Sequence, residues 1–568
     1  MRSTAVVLLC AASACGGSSR PRDVRASVRD GAVEVSWDAA PLIVVHRVQL
    51  VDLDSGKPAS DAMIVRGARA VIPGIASGVV VEAVPGGRAT GVVGAGAQGG
   101  SGSAWQVFAP WDFRGGTLSA DFAELAVGER LAVLVVNFGG QDQAQAEVTV
   151  DGAGDPGTAM AVAPQRDWPS AATVPGLHEV LRAREAALAL EPAAPAEALQ
   201  AGPRGSFCVV RGLDFSRHVR KPATLAASTA HAEIYLDDDD LGEYEGPEVQ
   251  TLVSAFEDRV WPAMVSAFGP PGDVDGNGKL LVLLTHELGA HLNGGWLIGY
   301  FGNADLLQAR DDSADCSDGG SNHGEIVYLN DLRGGQANGY AAQDLLASVY
   351  PATLAHELQH LLNFERRCVE RPCDGPEEVW INEALSKVAE DLAGFGWNSS
   401  GGRSEGSAYL GRPAGTLRGY DGRSLTQWEG DPIGNYQGVH SFLRLFTDRK
   451  GSDLVARVAF GAGGVQGLEE ALGVPLPYAM AQWASALLLS NEVDSRYSYS
   501  GAGWSPLHDR LRHLDTRSPG PLSLRRDGIA AVLSGPGLDS PARITVRSRS
   551  ETPPYVVVAR TSATLPAR

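Results

Sequence analysis

Apolar and polar residues alternate differently in successive parts of the chain. Up to about residue 175, short β-branched runs with every second position apolar predict strands separated by turns. Between residues 205 and 502, strand-like runs are interspersed with segments whose apolar residues recur at helical spacing, and after residue 503 strand patterns return. The pattern predicts an α+β fold, with a mixed sheet and helices in the centre, all-β modules before them and a small β unit after them.

Turn-rich stretches set the predicted domain boundaries. Residues 24–93 are predicted to form a β-sandwich module and residues 104–175 a second β module. The Ala- and Pro-rich residues 176–204 are a predicted linker and the most exposed place for proteolytic processing. Residues 205–502 then form the central domain and residues 503–568 the C-terminal β unit. The sequence leaves open whether the N-terminal β region is a pro-segment that is removed.

The central domain contains the motif HELQH at residues 356–360, within the helical pattern of residues 348–364. Residues four apart on a helix share a face, so His356 and His360 can bind one metal ion together. Glu357 is placed to polarise a metal-bound water rather than to bind the metal. These residue types at this spacing are typical of water-activating zinc hydrolases. The alternative is a pair of core histidines with ordinary hydrogen-bond partners.

A catalytic zinc site uses three protein ligands and leaves a position for water. A third histidine six residues after His360 is excluded, because Arg366 occupies that position. Glu383, in a second predicted helix over residues 379–390, is the strongest candidate for the third ligand. Glu377 and Glu378 in the preceding loop are the alternatives.

A second histidine motif, HELGAH at residues 286–291, has a different spacing. Its histidines are five apart, so they would face different directions on a helix. The motif follows the strand-like residues 280–284 and contains Gly289. We therefore predict a strand end and loop with a structural role.

Residues 353–364 (TLAHELQHLLNF) and 380–391 (WINEALSKVAED) resemble the gluzincin metallopeptidases, and more closely the hyicolysin family of secreted bacterial neutral proteases. Residues 273–284 and 299–301 are also similar to that family, and the likeness covers roughly residues 205 to 500. The resemblance implies a zincin-like catalytic domain with His356, His360 and Glu383 as zinc ligands. It implies that Glu357 is the general base when a zinc-activated water hydrolyses a peptide bond.

The sequence departs from this resemblance at Lys387. Gluzincins of the thermolysin type often have an Asp four residues after the ligand Glu, where it orients a zinc-bound His. A carboxylate for that purpose must come from elsewhere, and Glu390 and Asp391 are the candidates. Tyr436 and His440, on a predicted downstream helix, are candidates for the donor that stabilises the oxyanion. Either could instead be a packing residue.

The stretch DVDGNGK at residues 273–279 has oxygen donors at alternate positions, as calcium loops do. An EF-hand loop would have a Glu at its twelfth position, where Leu284 stands. We interpret the stretch as a tight polar turn before a strand, with a Ca²⁺ site as the alternative. Residues 237–240, all Asp, are interpreted as a solvated turn, with a cation site as the alternative.

The N-terminus has the pattern of a targeting segment. Arg2, an apolar run and small residues up to position 14 predict a signal peptide. Cys15 follows, and residues 15–23 form a predicted tether. Small residues before a Cys resemble a bacterial lipoprotein signal, although Ala12 stands where Leu is usual. Both a lipid anchor on Cys15 and ordinary secretion fit, and the remaining chain has no other apolar stretch of membrane-spanning length.

Four further cysteines predict two disulfides in an exported protein. We predict the pairs Cys208–Cys316 and Cys368–Cys373, with a second zinc site as the alternative. The net charge of −20 argues against nucleic acid or an anionic membrane surface as the main partner.

The sequence therefore predicts an extracytoplasmic zinc endopeptidase that acts on proteins or peptides. It would be secreted, or held at the bacterial outer membrane or cell surface. The alternative is a surface lipoprotein whose catalytically silent zincin domain binds a partner.

Overall fold

The computed structural model describes most of residues 22–152, 205–395, 424–499 and 521–561. The predicted signal peptide, the Cys15 tether and the linker at residues 176–204 lie outside the described residues. The fold mixes α and β structure, in agreement with the α+β prediction.

Residues 22–94 form a seven-stranded sheet that buries most of its apolar side chains in a core of its own, while Val51 and Val80 belong to the large core that includes the central domain. Val33, Val35 and Trp37 alternate along one strand and pack with Val48 and Leu50 of another. The strand order is β4-β3-β6-β7-β1-β2-β5. The strands are β1 (Arg22–Arg29), β2 (Ala32–Asp38), β3 (Val45–Val51), β4 (Met63–Arg66), β5 (Arg69–Pro73), β6 (Gly78–Ala83) and β7 (Arg88–Gly94).

A sandwich of two four-stranded antiparallel sheets combines strands from two segments that are far apart in the sequence. Four strands come from residues 105–151: β8 (Trp105–Phe108), β9 (Thr117–Leu125), β10 (Arg130–Asn137) and β11 (Ala144–Asp151). Four come from residues 521–561: β18 (Pro521–Leu524), β19 (Gly528–Leu533), β20 (Ser540–Ser548) and β21 (Tyr555–Thr561). The strand orders are β19-β10-β21-β8 and β18-β11-β20-β9. The second β module and the C-terminal β unit, predicted as separate, therefore share one hydrogen-bonded sandwich.

The near-continuous apolar sequence of β10 follows from its position in this sandwich. Leu131, Val133 and Val135 face the core between the two sheets. Leu134 and Val136 belong instead to the large core that includes the helices of the central domain. A strand that is buried on both faces has no polar side to alternate with.

The central domain is built on a mixed six-stranded sheet in the order β12-β13-β14-β15-β17-β16. Strands β14, β15 and β17 run parallel, and the other pairs are antiparallel. Every residue of the apolar strand β15 is buried at the centre of the sheet. The strands are β12 (Ser206–Val210), β13 (His218–Ser228), β14 (Ala232–Asp237), β15 (Leu280–Thr285), β16 (Gly299–Phe301) and β17 (Ile326–Asn330).

Helices pack against this sheet and against one another. In chain order they are α1 (Gly246–Ala255), α2 (Trp261–Phe268), α3 (Glu287–Ala290), α4 (Ala304–Leu307), α5 (Leu332–Ala337), α6 (Ala342–Asp344), α7 (Tyr350–Phe364), α8 (Val379–Leu392), α9 (Pro432–Lys450), α10 (Asp453–Phe460), α11 (Gly464–Leu472) and α12 (Leu476–Leu489). Helix α7 is buried along its whole length, and a π-helical turn adjoins each of its ends. It lies between the sheet and α8, and α8 packs in turn on α9.

A disulfide joins β12 to the loop before β17. The predicted pair Cys208–Cys316 is confirmed, with a Cα–Cα distance of 5.7 Å. Cys368 is also disulfide-bonded, and its predicted partner Cys373 lies outside the described residues. Of the helices in the described part of the chain, none has the length and apolar character that a membrane span requires.

Candidate metal centre

Two buried helices bring three potential metal ligands together. His356 and His360 lie one turn apart on α7, with ring centroids 4.9 Å apart. Glu383 comes from α8, and its Oε2 atom lies 3.2 Å from Nε2 of His356 and 3.5 Å from Nε2 of His360. The helices approach because both contribute apolar side chains to one core: Leu354, Leu358, Leu361, Ile381, Leu385 and Val388.

The donor set and its spacing fit a zinc ion. Two imidazole nitrogens and one carboxylate oxygen are ligands that zinc commonly takes, and one atom from each residue lies within 4.8 Å of the others. Ligand atoms about 2.0–2.1 Å from a tetrahedral zinc ion would be roughly 3.4 Å apart, close to the two distances above. Three protein ligands would leave the fourth position accessible, as catalytic sites require.

The charges around His356 also favour a cation. Burial lowers the pKa of this imidazole, but hydrogen bonds to Glu383 and Glu390 and the nearby charge of Glu357 raise it to about 10. Glu357 follows His356 on α7 and is buried, and its carboxylate is not part of the three-residue cluster. Either a proton on this imidazole or a bound metal cation would neutralise the same negative charges.

Glu390 supports His356 from the opposite side of the ring. Its Oε1 atom lies 2.9 Å from Nδ1 of His356, a contact that keeps the proton on Nδ1 and leaves Nε2 directed at Glu383. Lys387 lies beside it, with Nζ 2.5 Å from Oε2 of Glu390. Burial raises the pKa of Glu390, but Lys387 and His356 lower it more, so the net direction is downward. Lys387 thus stabilises the carboxylate that orients His356.

Ser386 contacts the second histidine and was not singled out from the sequence. Its Oγ atom lies 3.2 Å from Nδ1 of His360 and donates to Oε1 of Gln359 at 2.5 Å. The sequence does indicate its position, because residues 383, 386, 387 and 390 are spaced i, i+3, i+4 and i+7. That spacing puts all four on the face of α8 that meets α7.

The two candidates for the oxyanion donor differ in position. Tyr436, on α9, packs its ring edge-on to His356 with centroids 6.0 Å apart. His440, one turn later, is buried and has Nε2 2.7 Å from Oδ2 of Asp391. Asp391 also binds Arg444 at 2.6 Å, so it orients His440 rather than His356. Glu390 and Asp391 are the candidates to replace the Asp that is absent at position 387, and of these Glu390 contacts a candidate zinc ligand.

The alternative third ligands lie elsewhere. Glu377 accepts hydrogen bonds from the backbone N–H groups of Gly464 at 2.7 Å and Glu378 at 2.9 Å. Glu378 binds the Trp380 indole at 2.7 Å. Glu378 also accepts from the N–H of Val465, so both side chains connect the start of α8 to the start of α11, and neither belongs to the three-residue cluster.

The motif at residues 286–291 is a strand end followed by the short helix α3, and His291 lies outside the described residues. The interpretation of residues 237–240 as a solvated turn is wrong for Asp237 and Asp240, which are buried. Asp240 binds Nδ1 of His286 at 3.0 Å, and Asp237 accepts from the Thr285 hydroxyl at 2.7 Å. Lys221 lies 3.2 Å from Asp237, so the protein supplies a counter-charge that makes this burial possible.

No protein-family model matches the chain. The chain is 24% identical over 200 residues to the neutral metalloprotease ShpI of Staphylococcus hyicus. This similarity covers 33% of the chain and 39% of the relative, so the chain spans less than half of the protein that it matches. The comparison supports a distant relationship to a metalloprotease.

Proposed function

We propose that the protein is a zinc-dependent endopeptidase with a zincin-like catalytic domain. The observation that carries the proposal is the convergence of His356, His360 and Glu383 on one buried point, with Glu357 next to His356 on the same helix. The distant similarity to a neutral metalloprotease supports the same reaction class. Protein or peptide is the proposed substrate.

The side chains have separate roles in this proposal. His356, His360 and Glu383 would hold the zinc ion, which when bound supplies Lewis-acid chemistry. Glu357 takes a proton from the attacking water and returns it to the leaving amine. Glu390, held by Lys387, keeps the proton of His356 on Nδ1. Tyr436 donates a hydrogen bond to the oxyanion that forms at the substrate carbonyl.

We further propose that the protein works outside the cytoplasm. The Cys208–Cys316 disulfide supports this location, because such bonds persist mainly in oxidising compartments. Lipidation of Cys15 stays a prediction from the sequence.

The test compares the full-length protein with its Glu357→Gln variant. The amide cannot accept the proton, so hydrolysis of casein should fall by a factor on the order of 10²–10⁴. Zinc content, measured by elemental analysis, should be unchanged because Glu357 is not a ligand. Glu551→Gln makes the same substitution at an exposed turn of the sandwich and should retain activity.

Two outcomes would contradict the proposal. Equal activity in the wild type and Glu357→Gln would remove Glu357 from the mechanism. Zinc bound to both, with no hydrolysis by either, would favour the silent partner-binding domain.

A further inference from the structure

A second cluster of carboxylates lies in the central domain, at the loop before β15. Asp273, Asp275 and Asn277 alternate along this loop and Gly278 follows, which matches the first six positions of a calcium-binding loop. Gly278 has φ +68°, a left-handed conformation that glycine adopts without strain and that the sixth position of such a loop requires. The loop therefore has the backbone as well as the side chains of a calcium loop over these positions.

The sheet supplies the carboxylate that the loop lacks at its twelfth position. Strands β15 and β17 are parallel neighbours, and the N–H of Leu281 donates to the carbonyl of Glu325 at 2.7 Å. Glu325 therefore lies at the same edge of the sheet as the loop, and its Oε1 accepts from the N–H of Val274 at 2.7 Å. One oxygen each from Asp273, Asp275 and Glu325 lies within 4.8 Å of the others.

A further buried carboxylate binds the backbone just before the loop. Glu365, in the π-helical turn after α7, is 2 % exposed, and its Oε1 accepts from the N–H of Gly272 at 2.7 Å. Its Oε2 atom is buried and has no hydrogen-bond partner among the described residues. Burial raises the pKa of Glu325 to about 7, and the charges of Asp275 and Glu365 add to this rise. An unsatisfied buried oxygen beside like charges is costly unless a cation compensates it.

Two cations of the described residues adjoin this cluster in the chain, and both are bound to other groups. Lys279, the lysine of the loop, binds the Ser228 hydroxyl at 2.7 Å and lies 3.9 Å from Glu233. Arg366 donates to the carbonyl of Pro270 at 2.8 Å and pairs with Glu370. Although Arg366 lowers the pKa of Glu365, burial is the larger effect and the net shift is upward.

We propose that this loop and Glu325 form a calcium site, separate from the zinc centre. Asp273, Asp275, Asn277 and Glu325 supply the side-chain oxygens, and Glu365 is the fifth candidate. An all-oxygen donor set with several carboxylates suits Ca²⁺, whereas Mg²⁺ demands a stricter octahedral geometry. The bound ion connects the loop with the start of β17 and with the π-helical turn that follows α7. Its role is to stabilise this part of the fold.

The experiment uses the full-length, zinc-loaded protein freed of calcium, with retained zinc checked by elemental analysis. Isothermal titration with CaCl₂ should give saturable binding, and Ca²⁺ should raise the melting temperature. Glu325→Gln should weaken Ca²⁺ binding by about tenfold or more and abolish that rise, while Glu551→Gln should behave as wild type. MgCl₂ at the same concentration should not substitute.

The calcium-free state separates lost binding from misfolding. Without Ca²⁺, Glu325→Gln should melt at or above the wild-type temperature, because it removes one of several mutually repelling buried charges. The proposal is overturned if Ca²⁺ neither binds the wild type nor raises its melting temperature. It is equally overturned if Glu325→Gln binds Ca²⁺ as the wild type does.

Discussion

At the scale of single residues, the structure distinguishes Tyr436 from His440. The Tyr436 ring packs against His356, whereas His440 is bound to Asp391 and shares that carboxylate with Arg444. A group that acts on the oxyanion must reach the reacting carbonyl, and Tyr436 is the one in contact with a proposed zinc ligand. We therefore expect Tyr436 to be the donor.

The substitution Tyr436→Phe tests this role. It keeps the ring packing and removes the hydroxyl, so kcat should fall by a factor on the order of 10². KM and zinc content should change little, because the lost bond is made in the transition state. Tyr555→Phe in the sandwich is the matched control. Unchanged kcat in Tyr436→Phe, combined with loss of activity in His440→Asn, would assign the donor role to His440.

At the scale of elements, one face of α8 packs against α7, the helix that carries His356 and His360. Glu383, Lys387 and Glu390 follow one another along this face, and all three are buried. Lys387 stands where a carboxylate is usual, but its ammonium stabilises Glu390, which takes over the contact to His356. The departure from the resembled pattern thus replaces one carboxylate with a Lys–Glu pair.

The substitution Lys387→Met tests how much this pair contributes to the free energy of unfolding. In metal-free protein, Lys387→Met removes one of the two cationic partners of the buried Glu390 and leaves His356 as the other. It should lower the free energy of unfolding by about 2 kcal/mol, because a hydrogen bond between charged groups is lost. Adding Glu390→Gln should recover part of that loss, since the buried carboxylate that lost its Lys387 partner is then neutral. Urea unfolding of both single variants and the double variant measures the coupling. If the change in the free energy of unfolding of the double variant equals the sum of the two single changes, the two side chains do not stabilise each other.

The contact between α8 and α9 predicts a pH dependence. Burial raises the pKa of Asp391, but His440 and Arg444 lower it further, so its folded-state pKa lies below the ordinary value of 3.8. The unfolded chain therefore takes up this proton first as pH falls. The stabilisation by the ionised Asp391 is complete above pH 3.8 and is lost as pH falls through the folded-state pKa.

Asp391→Asn should accordingly be less stable than wild type by about 2 kcal/mol near neutral pH, because His440 and Arg444 then meet a neutral amide instead of a carboxylate. The difference should shrink below pH 3.8. Urea unfolding across the acid range measures it, with Asp258→Asn at an exposed position as the control. A difference that stays constant into strong acid would contradict the assignment.

At the scale of the whole molecule, the chain returns at its end to complete a sandwich begun near residue 105. Strand β20 lies between β9 and β11, and β21 lies between β8 and β10. The seven strands of residues 22–94 pair only with one another within the described residues. The two β regions should therefore respond differently to truncation.

Deletion of residues 521–568 should expose unpaired edges in both sheets and leave the protein insoluble or protease-sensitive. Deletion of residues 22–94 removes a complete sheet and should leave the remaining fold intact. Limited proteolysis and circular dichroism of the two truncated proteins compare them. A soluble, protease-resistant protein after the C-terminal deletion would show that residues 105–151 fold without β18–β21.

The sequence by itself determined what depends on local periodicity. Helical spacing joined His356 with His360, and alternation located many of the strands, because both follow from fixed rises and rotations per residue. Glu383 required one further inference, that a carboxylate on an apolar helix is buried and needs a partner.

Only the tertiary structure decided which distant elements meet. Alternation shows which face of a strand is buried but not which strand lies beside it, so β10 and β21 could not be paired from sequence. For the same reason, Glu325 could not be assigned to the loop at Asp273, nor Lys221 to the buried Asp237. Charge compensation acts through space between groups that chain folding brings together, and no local pattern records it.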